Sequence, residues 1–352
     1  MYYSPSELII NDDNSVFHLH LKPGQIAGKV ILVGDPGRVD LVASHFEKTE
    51  CNIQNREFHT ITGTYKGKRI SVVSTGIGCD NIDIVLNELD ALVNIDFNTR
   101  TEKAEQTTLE IVRIGTCGGL QPSTPTGTFI SSVKSIGFDG LLNFYDGRNA
   151  VCDLELEKAF VAHMQWNAQK GAPYVAIADI ELTDRIASSD MVRGITVSCG
   201  GFFGPQGRRL RIPLADPTQN EKIESFCYGG MQILNFEMES SAVAGLAKLL
   251  GHKATTCCMV IANRRNLKAD TNYKNTIDTL ITKVLSRICK QRKTHLQSAP
   301  SPLHQAAPLA LSEFLVLKPF PSSTPYSRAE TVWQMHFPTL PTMASLQTES
   351  KS

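Results

Sequence analysis

The chain carries the sequence KVILVGDPGR at residues 29–38. Its first half is rich in β-branched residues, as buried strands are, and Gly34 ends that run. Asp35 and Pro36 then fit the N-cap and first turn of a helix, which we predict to continue to about Phe46. A strand that leads through a glycine turn into a helix is the repeating unit of layered α/β proteins, so this stretch predicts that class of fold.

The same alternation of strand-like and helix-period segments extends from about residue 27 to residue 290. Residues 58–65 and 68–74 flank Lys66-Gly67 and predict a hairpin. Further strands are predicted at residues 110–114, 174–179, 195–198, 233–236 and 254–262, the first of them ending in a turn at 115–119. Further helices are predicted to start at a cap formed by Asp80 and to span residues 153–170, 238–250 and 273–292.

Two segments break this alternation. Residues 96–108 are polar and aperiodic, which predicts an inserted surface loop. Residues 298–352 contain eight prolines and few acidic residues, a composition typical of disorder, although residues 314–317 and 332–337 offer apolar groups for local docking. We therefore predict an arm at residues 1–15, a single domain at 16–294 and a disordered tail at 295–352.

Overall composition excludes several classes of function. The 35 Lys and Arg residues balance 35 Asp and Glu residues, which argues against a protein that coats nucleic acid or an anionic membrane. No apolar run approaches the length of a membrane span, and the polar N-terminus lacks a signal pattern. The nine cysteines include no Cys-x-x-Cys pair, so the sequence predicts reduced thiols, a cytoplasmic location and no metal site.

Two predicted strand ends could hold an anion. Gly34 and Arg38 follow the first strand, and Arg113 and Thr116 stand at the end of a later one. Backbone N–H groups and a guanidinium suit an oxyanion, although each turn alone could equally be an ordinary strand-to-helix connection. Because open α/β sheets bind ligands beyond the carboxyl ends of their strands, the pair is more informative than either turn.

Two further segments suit a sugar and a planar base. Residues 237–239, with the sequence EME, place carboxylates where a strand becomes a helix; they could grip sugar hydroxyls or lie in solvent near the helix dipole. Residues 200–208, with the sequence GGFFGPQGR, combine aromatic rings, an amide and a guanidinium that could read a base, or could form a plain flexible loop. His18 and Arg56 carry no signal by themselves.

Taken together and in order, these segments resemble the uridine phosphorylase branch of the nucleoside phosphorylase family. The matching motifs are GDPxR at residues 34–38, STGIG at 74–78, RIGTxG at 113–118 and EMES at 237–240. The similarity covers about residues 16–290. It implies a single-domain, three-layer α/β/α nucleoside phosphorylase-like fold with a central mixed, partly barrel-like sheet.

The resemblance also implies roles for individual residues. Phosphate would be bound by Gly34, Arg38, Arg56, Arg113 and Thr116. Ribose would be bound by His18, Met238 and Glu239, and the base by Phe202, Gln206, Arg208 and Ile261. Glu239, Gln206 and Arg208 would also act in catalysis, which needs positioning and electrostatic stabilisation but neither a protein nucleophile nor a metal.

Several expectations follow from this resemblance. The activity is phosphorolysis of uridine, with deoxyuridine as a further substrate, and inorganic phosphate is a co-substrate rather than a cofactor. His18 and Arg56 come from a neighbouring subunit, which implies a dimer or a hexamer. Asn263 stands where purine-cleaving relatives carry Asp, which favours uridine. The sequence CDN at residues 79–81 departs from the family pattern and puts in doubt a monovalent cation site at the dimer interface, for which Glu57 is the candidate.

Three other readings remain open on the sequence. The same scaffold could cleave purine nucleosides, use water instead of phosphate as a nucleosidase, or bind nucleosides without turnover. Arg38, Arg56 and Arg113 argue against a nucleosidase because water needs no such cluster of cations.

Overall fold

The computed structural model describes residues 1–266 and 268–290 of the 352. The predicted tail at residues 295–352, with its segments 314–317 and 332–337, lies outside the described residues. The same holds for residues 291 and 292 at the end of the predicted closing helix.

The described part is built from strands and helices that are numbered here in chain order. The strands are β1 (Lys29–Val33), β2 (Lys48–Asn55), β3 (Phe58–Tyr65), β4 (Lys68–Ser74), β5 (Ile95–Asp96), β6 (Thr101–Glu102), β7 (Glu110–Gly119), β8 (Phe129–Gly137), β9 (Tyr174–Ile177), β10 (Val192–Ser198), β11 (Cys227–Tyr228), β12 (Met231–Glu237), β13 (Lys253–Asn263) and β14 (Lys268–Ala269). The α-helices are α1 (Pro36–Ala43), α2 (Cys79–Asn94), α3 (Arg148–Val151), α4 (Leu154–Met164), α5 (Ile180–Ile186), α6 (Gln219–Ser225), α7 (Ser240–Leu249) and α8 (Lys274–Ile288).

One large mixed sheet organises these elements. Its strand order is β11-β12-β10-β8-β13-β7-β1-β4-β3-β2, and an additional pairing of β12 with β7 closes five of the strands into a barrel-like ring. Strand β1 runs parallel to both β4 and β7, whereas β13 runs antiparallel to β8. The predicted mixed, partly barrel-like α/β sheet is therefore confirmed.

The central strand β1 is buried on both faces, as the three-layer prediction requires. Along β1, Val30 belongs to a core shared with Leu86 of α2, whereas the next residue, Ile31, belongs to a core shared with Leu285 of α8. Side chains of adjacent strand residues point to opposite faces, so β1 must be covered by helices on either side. This explains why its sequence is continuously apolar rather than alternating.

Several predicted boundaries agree with the structure. The hairpin of β3 and β4 turns at Lys66-Gly67, where both residues have positive φ. Asp35 caps α1 by accepting a hydrogen bond from Gly37 N at 2.9 Å, and the helix ends at Ala43 rather than near Phe46. The predicted closing helix corresponds to α8, which ends at Ile288.

The predicted turn at residues 115–119 is wrong, because β7 continues through it to Gly119. Gly118 and Gly119 pair with both β12 and β13, and a Cβ atom at Gly119 would lie only 2.6 Å from the carbonyl oxygen of Thr124. Gly119 thus allows close strand packing instead of forming part of a turn.

Three other predictions need correction. Gly78, with φ of 104°, is the N-cap of α2, and Asp80 lies inside the first turn. The helix predicted at residues 153–170 ends at Met164, because Gln165 adopts a left-handed conformation that breaks it. Residues 96–108 are not without structure, since β5 and β6 form a short hairpin there and Tyr2 bridges to it.

No helix in residues 1–266 and 268–290 combines the length and apolar character needed to cross a membrane.

Candidate active site

A cavity of about 730 Å³ opens where β1, β7, β12 and β13 end. Ten of the twelve residues that the sequence singled out line this cavity: Gly34, Arg38, Arg113, Thr116, Phe202, Gln206, Arg208, Met238, Glu239 and Ile261. His18 and Arg56 are the two that do not. Segments far apart in sequence therefore converge on one place because strands of the mixed sheet end side by side.

The segment after β1 forms one end of the cavity. Gly34 lies close to the backbone of Gly76, since a Cβ atom at position 34 would lie 3.3 Å from the carbonyl oxygen of Gly76. Arg38 is buried, and its Nη1 donates to the carbonyl oxygen of Ile114 at 3.4 Å. Among residues 1–266 and 268–290, no carboxylate oxygen lies within 4.0 Å of Arg38, so its positive charge remains available to an anion.

Arg113 has a different environment from Arg38. It is buried between two carboxylates, with Nη2 contacting Glu239 and Nη1 lying 3.1 Å from Glu237. Burial alone would lower the pKa of Arg113, but the two carboxylates outweigh it and raise that pKa above its ordinary value. The Nε atom is buried and has no hydrogen-bond partner in the described part of the chain.

The glycine at position 115 makes room for this guanidinium. A Cβ atom at Gly115 would overlap Nη1 of Arg113 and lie 3.0 Å from Sγ of Cys258. The glycine of the RIGTxG motif at position 115 therefore leaves space for the side chain of Arg113, instead of forming the tight turn that the sequence suggested. Thr116 follows directly and presents its side chain at the cavity wall.

Glu239 lines the cavity and is almost fully buried. Its Oε1 accepts a hydrogen bond from the backbone N–H of Gly78 at 2.8 Å, and Gly78 belongs to the STGIG motif. Burial and the neighbouring Glu237 raise the pKa of Glu239, although Arg113 opposes that shift. The carboxylate is thus held in one orientation by groups from two other segments, those of Gly78 and Arg113, with Met238 beside it on the cavity wall.

Glu237 has a structural role that was not assigned to it from the sequence. It accepts hydrogen bonds from the hydroxyl groups of Ser198 and Ser240, at 2.5 and 2.7 Å, and from the backbone N–H groups of Glu239 and Ser240. These contacts fix the strand-to-helix turn between β12 and α7. The serine at position 240 of the EMES motif was the available signal, since a serine at a helix start commonly forms such contacts.

The other end of the cavity carries an amide and a guanidinium. Nη1 of Arg208 donates to Oε1 of Gln206 and, at 2.6 Å, to the carbonyl oxygen of Phe202. The guanidinium also lies 3.7 Å from the centre of the Phe202 ring. Because the oxygen of the buried Gln206 amide is occupied by Arg208, its NH₂ group is left to donate to a ligand.

A second guanidinium, of Arg264, lies near this pair and was assigned no role from the sequence. It stacks 5.0 Å from the ring centre of Phe236, and its buried Nη2 has no hydrogen-bond partner among the described residues. Burial, reinforced by the charge of Arg208, lowers the pKa of Arg264 to about 10. Both arginines thus add positive potential at the end of the cavity where Gln206 lies.

Asn263 does not face the cavity. Its Nδ2 donates to the carbonyl oxygens of Gln121 and Thr124 at 3.0 and 2.7 Å, and its Oδ1 accepts from the backbone N–H of Asn266. The side chain is committed to holding the end of β13, so the geometry does not support its use as an indicator of base preference.

His18 and Arg56 form a separate cluster on the same chain. Nδ1 of His18 lies 2.7 Å from Glu88, and the guanidinium of Arg56 lies 5.5 Å from the centre of the Phe17 ring. Arg56 is exposed and has a positive φ of 54°. Neither side chain reaches the cavity of its own chain. Glu57, the next residue and the cation candidate, does line it.

The cavity therefore combines an arginine that no described carboxylate neutralises, a fixed carboxylate, and an amide paired with a second arginine, while Arg264 adds positive charge nearby without lining the cavity. Such a site can hold an anion, a polyol and a planar carbonyl-bearing ring in a row. These features define an enzyme of the α/β class with a small-molecule substrate site.

Comparison with known proteins places the chain in a family. The sequence profile of the phosphorylase superfamily matches residues 29–290. A uridine phosphorylase of Thermococcus kodakarensis is 30% identical over 265 residues, which cover 72% of this chain and 79% of that relative. The protein therefore belongs to the phosphorylase superfamily and is a pentosyltransferase-type enzyme of the nucleoside phosphorylase family.

Other relatives show that the family includes more than one base preference. A DeoD-type purine nucleoside phosphorylase of Bacillus subtilis is 28% identical over 244 residues, covering 69% of this chain and 85% of that relative. The crystal structure of a Trypanosoma brucei nucleoside phosphorylase described as showing uridine phosphorylase activity is 29% identical, with a TM-score of 0.71 over 80% of this chain and 98% of that chain. A Toxoplasma gondii purine nucleoside phosphorylase, 21% identical with a TM-score of 0.54 over 80% of this chain and 97% of that chain, shares the fold.

Proposed function

We propose that the protein cleaves uridine with inorganic phosphate and releases uracil and ribose-1-phosphate. The observation that carries the proposal is the pairing of Gln206 with Arg208 at one end of a cavity whose other end holds Arg38. This pair presents N–H donors, which suit the two carbonyl oxygens of uracil. The similarity to uridine phosphorylases at 29–30% identity supports the same assignment.

The anion end would hold the attacking phosphate. Arg38 offers a charge that no described carboxylate neutralises, and Gly34 lets the backbone approach the ligand closely. Thr116 and the unpartnered Nε of Arg113 would add donors. Phosphate held there is positioned below the sugar carbon, so much of the barrier is removed by orientation before any bond changes.

The middle of the cavity would bind the sugar. Glu239 is fixed by Arg113 and by the backbone of Gly78, and a carboxylate so oriented can accept from the two neighbouring hydroxyls of ribose. As the glycosidic bond breaks, positive charge grows on the ribose ring. The carboxylate would stabilise that charge at the place where it develops. Deoxyuridine, which lacks one of these hydroxyls, would be a weaker substrate.

The base end would stabilise the departing uracil. The glycosidic bond electrons move onto the base, so negative charge spreads to its carbonyl oxygens. Arg208, the NH₂ group of Gln206 and the nearby Arg264 supply donors and positive potential there. Phe202 and Ile261 would cover the ring faces.

The complete site would draw on a neighbouring subunit. His18 and Arg56 do not line the cavity of their own chain, although the family resemblance assigns them to ribose and phosphate. Self-association as a dimer, or as a hexamer made of three dimers, would bring the cluster of one chain to the cavity of another.

A substrate panel tests the proposal. Uridine, deoxyuridine, thymidine, inosine and adenosine are incubated with the protein, each with and without phosphate, and the released base is measured. We expect uracil from uridine only when phosphate is present. Release without phosphate would indicate a nucleosidase, faster release from inosine would indicate a purine enzyme, and uridine binding without release would indicate a binding protein.

A further inference from the structure

A second cavity, of about 650 Å³, lies at the opposite end of the sheet, where β1, β7 and β13 begin. Its walls include six basic residues and a single carboxylate, Glu110. The basic residues are Lys29, Lys68, Arg69, Arg185, Lys253 and Lys290. It shares no lining residue with the substrate cavity, from which it is separated by about 15 Å along the five residues of β1.

The single carboxylate in the wall is shared between two cations. Lys29 contacts one oxygen of Glu110, and Nη2 of Arg185 lies 2.6 Å from the other. Burial alone would raise the pKa of Glu110, but the hydrogen bonds from Lys29 and Arg185 outweigh it and lower that pKa. Nε of Arg185 is buried and has no hydrogen-bond partner in the described chain.

The remaining cations are only partly neutralised. Arg69 pairs with Glu50 and Lys253 pairs with Glu181, both at 2.7 Å. Lys68 and Lys290 have no carboxylate oxygen within 4.0 Å in residues 1–266 and 268–290. Six cations thus face three carboxylates. Like charges that are held together repel one another, and a bound polyanion relieves that repulsion.

We propose that this basic cavity is a binding site for a diphosphate group. Each phosphate ester group carries about −1.5 to −2 charges at neutral pH, so a diphosphate of about three charges matches the local excess of cations. Lysine ammonium groups and an arginine fork are the donors that phosphate oxygens prefer. The cavity has room for inorganic pyrophosphate or for the diphosphate end of a nucleotide.

Isothermal titration with inorganic pyrophosphate, and separately with adenosine diphosphate, tests this site. The titrations are run at saturating inorganic phosphate, so that an anion site in the substrate cavity is already occupied. We expect one binding event per chain, which weakens as potassium chloride is added. Equal affinity for both probes assigns recognition to the diphosphate group alone, whereas tighter binding of adenosine diphosphate assigns the site to nucleotides.

Lys68→Gln and Lys290→Gln remove cations without breaking an ion pair between described residues. Each should weaken binding about tenfold, the usual scale for a lost charge-assisted hydrogen bond. The control is Lys158→Gln, an exposed lysine on α4 outside this cavity, which should leave the affinity unchanged. The steady-state constants for nucleoside and phosphate should be the same in all three variants.

The proposal is overturned if neither probe binds at saturating phosphate, or if both variants bind as tightly as the wild type. Pyrophosphate inhibition that is purely competitive with phosphate and unaffected by the variants would place the anion in the substrate cavity instead. None of these outcomes depends on which nucleoside the enzyme cleaves.

Discussion

Arg113 and Glu239 form a buried ion pair on the wall of the substrate cavity, with Nη2 of the guanidinium contacting Oε2 of the carboxylate. Arg113 is proposed to assist phosphate binding and Glu239 to hold ribose. The ion pair therefore joins the two binding functions in one structural unit. Glu237 contacts the same guanidinium and fixes the turn that carries Glu239. Displacing any of the three should disturb both binding functions, because coupled buried charges do not act independently.

The first prediction concerns the space beside Arg113. Gly115→Ala should raise the KM for phosphate about tenfold or more and lower kcat, because the new Cβ overlaps Nη1 and displaces the guanidinium from its carboxylates. Steady-state kinetics with varied phosphate measure the effect. The matched control is Gly118→Ala, since a Cβ at Gly118 meets its nearest atoms only at 3.9 Å. Equal behaviour of the two variants would show that Arg113 does not depend on this gap.

The second prediction concerns recognition of the base. Gln206→Ala should lower kcat/KM for uridine about 10- to 100-fold, because it removes one donor to the ring and frees Arg208 from its partner. Binding of ribose-1-phosphate, which lacks the base, should change little. Both quantities are measured on the folded variant.

Arg209→Ala provides the control for this loop. Arg209 is exposed beside Arg208 and does not line the cavity, so its loss removes a nearby charge without removing a ring contact. If Gln206→Ala weakens ribose-1-phosphate as strongly as uridine, or if Arg209→Ala has the same effect, the loop has a structural role and the base assignment is wrong.

The sequence predicted most of the substrate cavity because motif residues at strand ends are brought together by the sheet itself. Once β1, β7 and β12 are neighbours in one sheet, Gly34, Thr116 and Met238 must lie near one another. What the sequence could not supply was the set of contacts across segments. The bond from Gly78 to Glu239 joins residues 161 positions apart, and no local pattern encodes it.

The errors have a common physical origin. Residues 115–119 look like a turn because glycine favours turns, yet here neighbouring strands and a guanidinium occupy the space that side chains would need. Asn263 was singled out because it stands where purine-cleaving relatives carry Asp, but the direction of its side chain was not predictable from the sequence. Strand β2 was missed because it is an edge strand with mostly exposed, polar residues and no continuous apolar run.

The third prediction concerns the attachment of α8. Asp190 accepts hydrogen bonds from Arg287 at 2.8 and 2.9 Å and from Lys283 at 2.6 Å, and these contacts, those from Arg287 foremost, lower the pKa of Asp190 to about 2. A carboxyl group whose pKa is lower in the folded state stabilises the fold above its unfolded pKa. That contribution is lost as the pH falls from about 4 to about 2.

Asp190→Asn should therefore lower the free energy of unfolding by about 1 kcal/mol at neutral pH, a modest value because the pair is partly exposed to solvent. The difference from wild type should disappear as the pH falls through the same range. Chemical denaturation at several pH values measures it. Asp216→Asn is the comparison, because the pKa of Asp216 is also lowered to about 2 but by Thr218 and Lys222 within the same short segment. A constant difference at all pH values would show that the ion pair does not cause it.

The last prediction concerns the two residues that stand apart from the cavity. His18 is fixed by Glu88, which accepts from its backbone N–H at 2.9 Å and contacts its ring nitrogen. Arg56 lies close by over Phe17, and Asn55 donates to the carbonyl oxygen of His18. Several contacts thus hold this cluster at a place where its own chain offers no substrate. A substrate site shared between subunits would explain why His18 and Arg56 are held in this position.

If His18 completes the cavity of a neighbouring chain, subunits that carry His18→Ala and subunits that carry Glu239→Ala should each be inactive alone. Mixing them should restore about one quarter of wild-type activity, because half of the random dimers are hybrids and each hybrid holds one intact site of two. The double variant, with both changes in one chain, is the control: mixed with wild type, it should give hybrids in which neither site is complete. Activity is measured after subunit exchange has been verified by mass, and absence of recovery would show that His18 does not complete the cavity of a neighbouring chain.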